Sequence, residues 1–145
     1  MNTPKKVTKS TKASEIQRGW HLFDVKNKVL GRITTDIAQA LMGKKKPYYV
    51  KTLDCGDFVV VIHAKDVAVT GKKETDKMYG NFSGFPGGLK EKALWQVRNE
   101  EPTRLITHAV KGMLPKNKLR DRLMTRLYVY EGESHPYAEK FEGKK

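Results

Sequence analysis

Phe58-Val59-Val60-Val61-Ile62 restricts the fold more than any other stretch of this chain. A strand with one wet face alternates apolar and polar residues, whereas this run offers no polar position, so both of its faces need cover. Such strands sit inside small parallel sheets, and parallel neighbours are joined by crossovers that are usually helical. The preceding residues fit that scheme. Trp20-His21-Leu22-Phe23-Asp24-Val25 has the alternation and aromatic content of a strand, and Lys26-Asn27-Lys28 supplies a turn. Leu30, Ile33, Ile37, Ala38 and Leu41 then recur at helical spacing, and Gly43 stands where a helix end favours a left-handed residue.

Downstream, Val67-Ala68-Val69-Thr70 reads as a short strand ending at Gly71, and Lys77-Met78-Tyr79 as a further one. Residues 80–88, rich in glycine and containing Pro86, read as an exposed loop. A helical pattern resumes from Leu89 through Leu94, Trp95 and Val97, stops at Pro102, and returns with Leu105, Ile106, Ala109 and Val110. Leu119, Leu123 and Leu127 mark a last helix. This order predicts a three-layer α/β/α domain with a small, mostly parallel central sheet over residues 19–132. A basic arm, residues 1–18, precedes it and a tail, residues 133–145, follows. The chain has 145 residues, enough for one hydrophobic core.

A formal net charge of +13 calls for a polyanionic partner. Nucleic acid and an acidic membrane surface both satisfy it, but no apolar run approaches the roughly 20 residues of a spanning helix. Nucleic acid is therefore the expected partner, with no membrane. The first residues carry Lys5, Lys6, Lys9 and Lys12 without an acid, and read as a mobile arm. They lack the arginines and amphipathic pattern of a transit peptide and the apolar centre of a secretion signal, so a cytoplasmic location is expected. Cys55 is the only cysteine, which excludes an intrachain disulfide and suits a reducing compartment.

The cations fall into three clusters. Lys44, Lys45, Lys46 and Lys51 follow the first helix, where its dipole favours positive charge, and Tyr48 and Tyr49 among them can stack on an unpaired base. Lys72, Lys73 and Lys77 form a weaker group diluted by Glu74 and Asp76. The strongest series is Lys111, Lys116, Lys118, Arg120, Arg122 and Arg126, interleaved with Leu119, Leu123 and Leu127 and opposed only by Asp121. In the loop, Tyr79, Ser83, Gly84, Gly87 and Gly88 are further RNA candidates, because glycines let backbone N–H groups approach phosphate oxygens. Each feature also has a plain structural reading: a solvated helix cap for the first cluster and a flexible connector for the loop. Trp20 and Trp95 read as core or interface anchors.

Catalysis has little support. Asp54-Cys55-Gly56-Asp57 sets a thiol between carboxylates, which raise a thiol pKa rather than activate it. His63 lies at the far end of the following strand, about 20 Å of extended chain away, too far to serve as its base. The four residues read better as a turn launching that strand. No Gly-Lys-Ser/Thr ending accompanies the glycines, and His21, His63, His108 and His135 are scattered without ligand spacing. No metal, cofactor or small-molecule substrate is expected.

Lys111-Gly112-Met113-Leu114-Pro115, followed by the basic segment and Leu127-Tyr128-Val129-Tyr130-Glu131-Gly132, resembles the signature of the bacterial-type large-subunit ribosomal protein L-thirteen family. The words from Trp20 to Gly43, from Asp54 to Thr70 and from Gly84 to Gly88 fall in the order of that family. The resemblance implies a three-layer fold, a glycine-rich RNA-contacting loop, and a structural, non-enzymatic constituent of the large subunit. Such a protein binds large-subunit ribosomal RNA, joins early in assembly and adjoins neighbouring ribosomal proteins. Departures are local. Val50-Lys51-Thr52 replaces a family Thr-Pro-His, Phe82 and Ser83 stand where His and Thr are common, and Ala138-Glu139-Lys140-Phe141 replaces Ala-Gln-x-Pro. Two other readings remain open at this level: a free RNA-binding regulator, and an enzyme acting on a phosphorylated substrate.

Overall fold

The structure is a computed structural model that describes residues 10–142. The arm lysines Lys5, Lys6 and Lys9 and the terminal Lys144 and Lys145 lie outside the described residues. Three parallel strands, β1 (Trp20–Asp24), β2 (Phe58–Ile62) and β5 (Leu127–Val129), form a sheet in the order β1-β2-β5. The all-apolar β2 occupies its centre, pairing Trp20 with Phe58 on one side and Val60 with Tyr128 on the other. Because side chains alternate, Val59 and Val61 point to one face and Phe58 and Val60 to the opposite one.

The first face carries the main core. Helix α1 (Leu30–Met42) lays Leu30, Ile33, Ile37 and Leu41 over Val59 and Val61. Helix α4 (Pro102–Met113), begun by a proline that suits a helix start, adds Ile106 and Val110. Each fully buried aliphatic side chain of this set contributes roughly 1.5–3 kcal/mol. Helix α1 ends as its sequence foretells, with Gly43 at φ 72° closing the last turn onto Ala40 and Gln39 carbonyls. The opposite face is covered by the tail, not by a long helix. Trp20 stacks on Phe58 at 4.5 Å and meets Tyr137 at 5.0 Å, while the one-turn α6 (Glu139–Glu142) packs on β1.

A second, smaller cluster of Tyr79, Leu94, Val97 and Leu105 roots an antiparallel hairpin of β3 (Met78–Phe82) and β4 (Leu89–Ala93). Beside it lie the short α2 (Lys73–Asp76) and α3 (Leu94–Glu100). Four expectations differ from the fold, the first being the loop, which begins only at Ser83 because Gly80, Asn81 and Phe82 pair within β3. Leu89 to Ala93 is a strand and α3 begins only at Leu94, because Lys90 and Lys92 pair across from Asn81 and Tyr79 on one hairpin face. Val67 to Thr70 is not a strand; only a single bridge joins Ala68 to Val29. The basic helix is α5 (Leu119–Met124), so Leu127 lies in β5 rather than on that helix.

Candidate nucleic-acid interface

Asp54 and Asp57 flank the entry to β2 and are both held by cations. Arg126 grips Asp54 with two prongs, Nη1 donating to Oδ2 at 2.8 Å and Nη2 donating to Oδ1, and Arg18 adds a longer contact at 3.4 Å. Asp57 accepts hydrogen bonds from the Lys46 ammonium and from the Gly19 N–H at 2.8 Å, and pairs with His21 Nε2 at 2.9 Å. Burial alone would raise the Asp57 pKa, but hydrogen bonds from His21, Lys46 and Gly19 outweigh it and lower the value to about 2. Asp54 is likewise lowered: burial opposes its ionisation, and Arg126 and Arg18 overcome that. The turn fits tightly against the end of α1. A Cβ on Gly56 would stand 1.7 Å from the Leu41 carbonyl oxygen, and one on Gly43 would stand 2.2 Å from that of Cys55.

Cys55 between these acids is fully buried, which removes any nucleophilic use of its thiol. Arg126 and Lys46, counted among the RNA candidates, are turned inward. The Arg126 side chain is only 10% exposed, and the Lys46 ammonium also donates to the Cys55 and Gln17 carbonyls. Their charge is consumed by Asp54 and Asp57, so neither is free for phosphate. Tyr79 is buried at the hairpin root with Lys77 Nζ 5.4 Å from its ring centre, and Tyr48 donates its hydroxyl to the Gln17 carbonyl at 3.2 Å.

The remaining cations stay on the surface. Lys44, Lys45, Lys51, Lys72, Lys73, Lys77, Lys111, Lys116, Lys118 and Arg122 are exposed, and Arg120 is half-buried. Among the described residues none of these forms an ion pair. A shallow groove sets Tyr49 and Lys51 beside Pro115, Asn117 and Leu119, residues that alternate in the chain with the cations of the third cluster. A larger cavity sets Lys73 and Lys77 of the second cluster beside Gly112 and Met113 at the end of α4. Leu114, next to Met113 in the chain, is buried in the main core.

The hairpin has two unlike faces. Lys90, Lys92 and Asn81 share one face, which continues into Arg104 of α4. Met78, Phe82 and Leu89 lie on the other and are 55%, 63% and 58% exposed, with Phe85 at the tip 74% exposed. Gly84 and Gly87 take φ of 87° and 71° in the turn, which releases their N–H groups from strand pairing and leaves both residues exposed. Ser83 is exposed beside them and its N–H donates to the Gly88 carbonyl at 3.2 Å. The Gly88 N–H is engaged inside the turn, donating to the Phe85 carbonyl at 3.0 Å. Lys90, Lys92 and Phe85 were not singled out from sequence, whereas Arg104 counts with the basic series that follows it and Phe82 stands as a departure from the family pattern. The two-residue alternation of Lys90-Glu91-Lys92 was the available signal for the first two.

A small parallel sheet backed by two long helices, with unpaired lysines and arginines exposed around it, defines a basic α/β protein suited to a polyanion. The family model described as Ribosomal protein L13 matches residues 18–136, and the chain belongs to that family. Similar proteins include the large ribosomal subunit protein uL13 of Solibacter usitatus, 53% identical over 85% of this chain and 86% of its own length. The protein of the same name from Dehalococcoides mccartyi is 48% identical over 90% of this chain and 92% of its own. That of Geobacter sulfurreducens is 50% identical over 91% and 92%.

Proposed function

We propose that this chain is a structural constituent of the large ribosomal subunit that binds large-subunit ribosomal RNA and supports early subunit assembly, without turnover of any substrate. The observation that carries this reading is that, apart from the inward-turned Lys46 and Arg126, the cations of all three clusters reach the surface with no carboxylate paired to them among the described residues. Folded RNA concentrates phosphates whose mutual repulsion opposes close packing, and lysines and arginines fixed by a rigid sheet relieve it at set positions. Lys44, Lys45, Lys51, Lys72, Lys111, Lys116, Lys118, Arg120 and Arg122 serve phosphates. The exposed glycine turn offers backbone donors at Gly84 and Gly87. Phe82 and Phe85 add flat surfaces on which unpaired bases stack. Neighbouring large-subunit proteins adjoin it, and the expected location is the bacterial cytoplasm with the ribosomes.

The test is the affinity of the full chain for large-subunit ribosomal RNA across a salt series. Six to ten phosphate contacts imply a loss of roughly 10³- to 10⁵-fold between 50 and 200 mM salt, taking duplex-like counterion release. Affinity that hardly changes with salt would contradict the reading.

A further inference from the structure

The cavity of about 320 Å³ between the start of α1 and the end of α4 has an unusual wall. Gly31 and Gly112 both line it, each inside a helix, each without a positive φ, and a Cβ on either would meet nothing within 4 Å. Neither turn geometry nor internal crowding requires glycine there, at the second residue of α1 and the last but one of α4, where it costs less than the roughly 1 kcal/mol of a helix interior. Two such positions on different helices, opening on one cavity, leave bare backbone facing a space wide enough for part of a ligand. The walls between them are apolar, with Val29, Val69, Leu94 and Met113, and no acidic residue lines the cavity. Lys73 and Lys77 line it too, one helical turn apart, exposed and without an ion pair among the described residues.

We propose that this cavity seats one unpaired nucleotide of the large-subunit ribosomal RNA, its base in the apolar interior between Gly31 and Gly112 and its phosphate at Lys73 and Lys77. The proposal rests on the RNA-binding reading above. A flat, largely apolar ring tethered to an anion matches both halves of the site. An apolar peptide would leave both ammonium groups without an anion, with only the Tyr79 ring centre 5.4 Å from that of Lys77. Base-edge polar atoms have a hydrogen-bonding group in reach of the same cavity, His108, whose ring packs edge-on to Tyr79 at 5.2 Å. Unpaired, splayed-out bases are the usual objects of RNA recognition by proteins.

The test uses the full chain with Gly31→Leu and, separately, Gly112→Leu, each of which fills the cavity from a helix whose propensity it improves. Thermal unfolding is expected at or above the wild-type temperature, while affinity for large-subunit ribosomal RNA falls about tenfold, on the order of the worth of one stacked base, and its salt slope falls by no more than about 1, for the single phosphate at Lys73 and Lys77. Base-specific chemical modification of the wild-type complex should show one or two protected unpaired bases whose reactivity returns in both variants, with the other protections intact. Wild-type affinity and protections in a folded variant would overturn the proposal and leave the cavity to a protein neighbour or to none. Unfolding of both variants would overturn it as well, since the space would not be open. Failure of the wild-type chain to bind RNA would instead remove the reading beneath it.

Discussion

Arg126 closes on Asp54 across 72 positions of chain, tying the corner between α5 and β5 to the turn that launches β2. The pair sits where the parallel sheet is assembled, since the Val59 N–H donates to the Arg126 carbonyl at 3.0 Å just beside it. One residue thus aligns the two strands through its backbone and locks the entry turn through its guanidinium. Replacing Arg126 with Ala should cost about 3 kcal/mol, because it leaves the Asp54 carboxylate largely buried without its main partner. Lysine should recover only part of this, lacking the planar fork. Urea unfolding of the two variants measures both effects.

Surface cations should behave in the opposite way. Lys111, Lys116 and Arg120 replaced together by Ala should leave the circular-dichroism signal and unfolding midpoint nearly unchanged. The RNA affinity of the triple variant should fall, with the salt slope reduced by about 1 for each phosphate that is no longer neutralised. A loss of folding, or an unchanged affinity, would count against their assignment.

The Asp57 carboxylate makes stability sensitive to acid. Its folded pKa of about 2 lies below its ordinary 3.8, so its contribution is fully present above pH 3.8 and disappears as pH falls toward 2. Thermal midpoints between pH 5 and pH 2 should therefore drop more for the wild type than for Asp57→Asn. The variant, already deprived of the charge that meets Lys46 and His21, starts lower and shows a flatter profile.

The hairpin tip should contribute to binding and not to the fold. Phe82→Ser and Phe85→Ser expose no core, since these rings are 63% and 74% exposed already, and unfolding midpoints should stay within the error of the wild type. Removing a stacking platform would weaken RNA binding by about 1–3 kcal/mol for each ring, read from the same binding titrations.

Strands β1 and β2 and the first helix were legible in the sequence because their signals are local, whereas the three-residue β5 was hidden at the end of the leucine spacing that marks α5. Five apolar residues in a row exclude an exposed strand, and the spacing of Leu30, Ile33, Ile37 and Leu41 ends at a glycine that does adopt the left-handed conformation. The hairpin was harder. Leu89 and Ala93 stand four apart and continue into Leu94 and Val97, so the apolar spacing imitates a helix although the lysines between them alternate as in a strand. The roles of Lys46 and Arg126 were not legible either. A cation in a basic run looks the same whether it faces solvent or a carboxylate brought from elsewhere by the fold, and the second case depends on tertiary structure. The tail poses the same difficulty: Tyr137 and Phe141 follow no periodic pattern, yet both rings pack around Trp20.

The most direct measurement is sucrose-gradient fractionation of a cell lysate at moderate salt, following this chain, with a second run at high salt. The account predicts near-stoichiometric sedimentation with the large subunit and little free protein at moderate salt. A predominantly free, slowly sedimenting pool under the same conditions would contradict it and favour a regulator acting away from the ribosome.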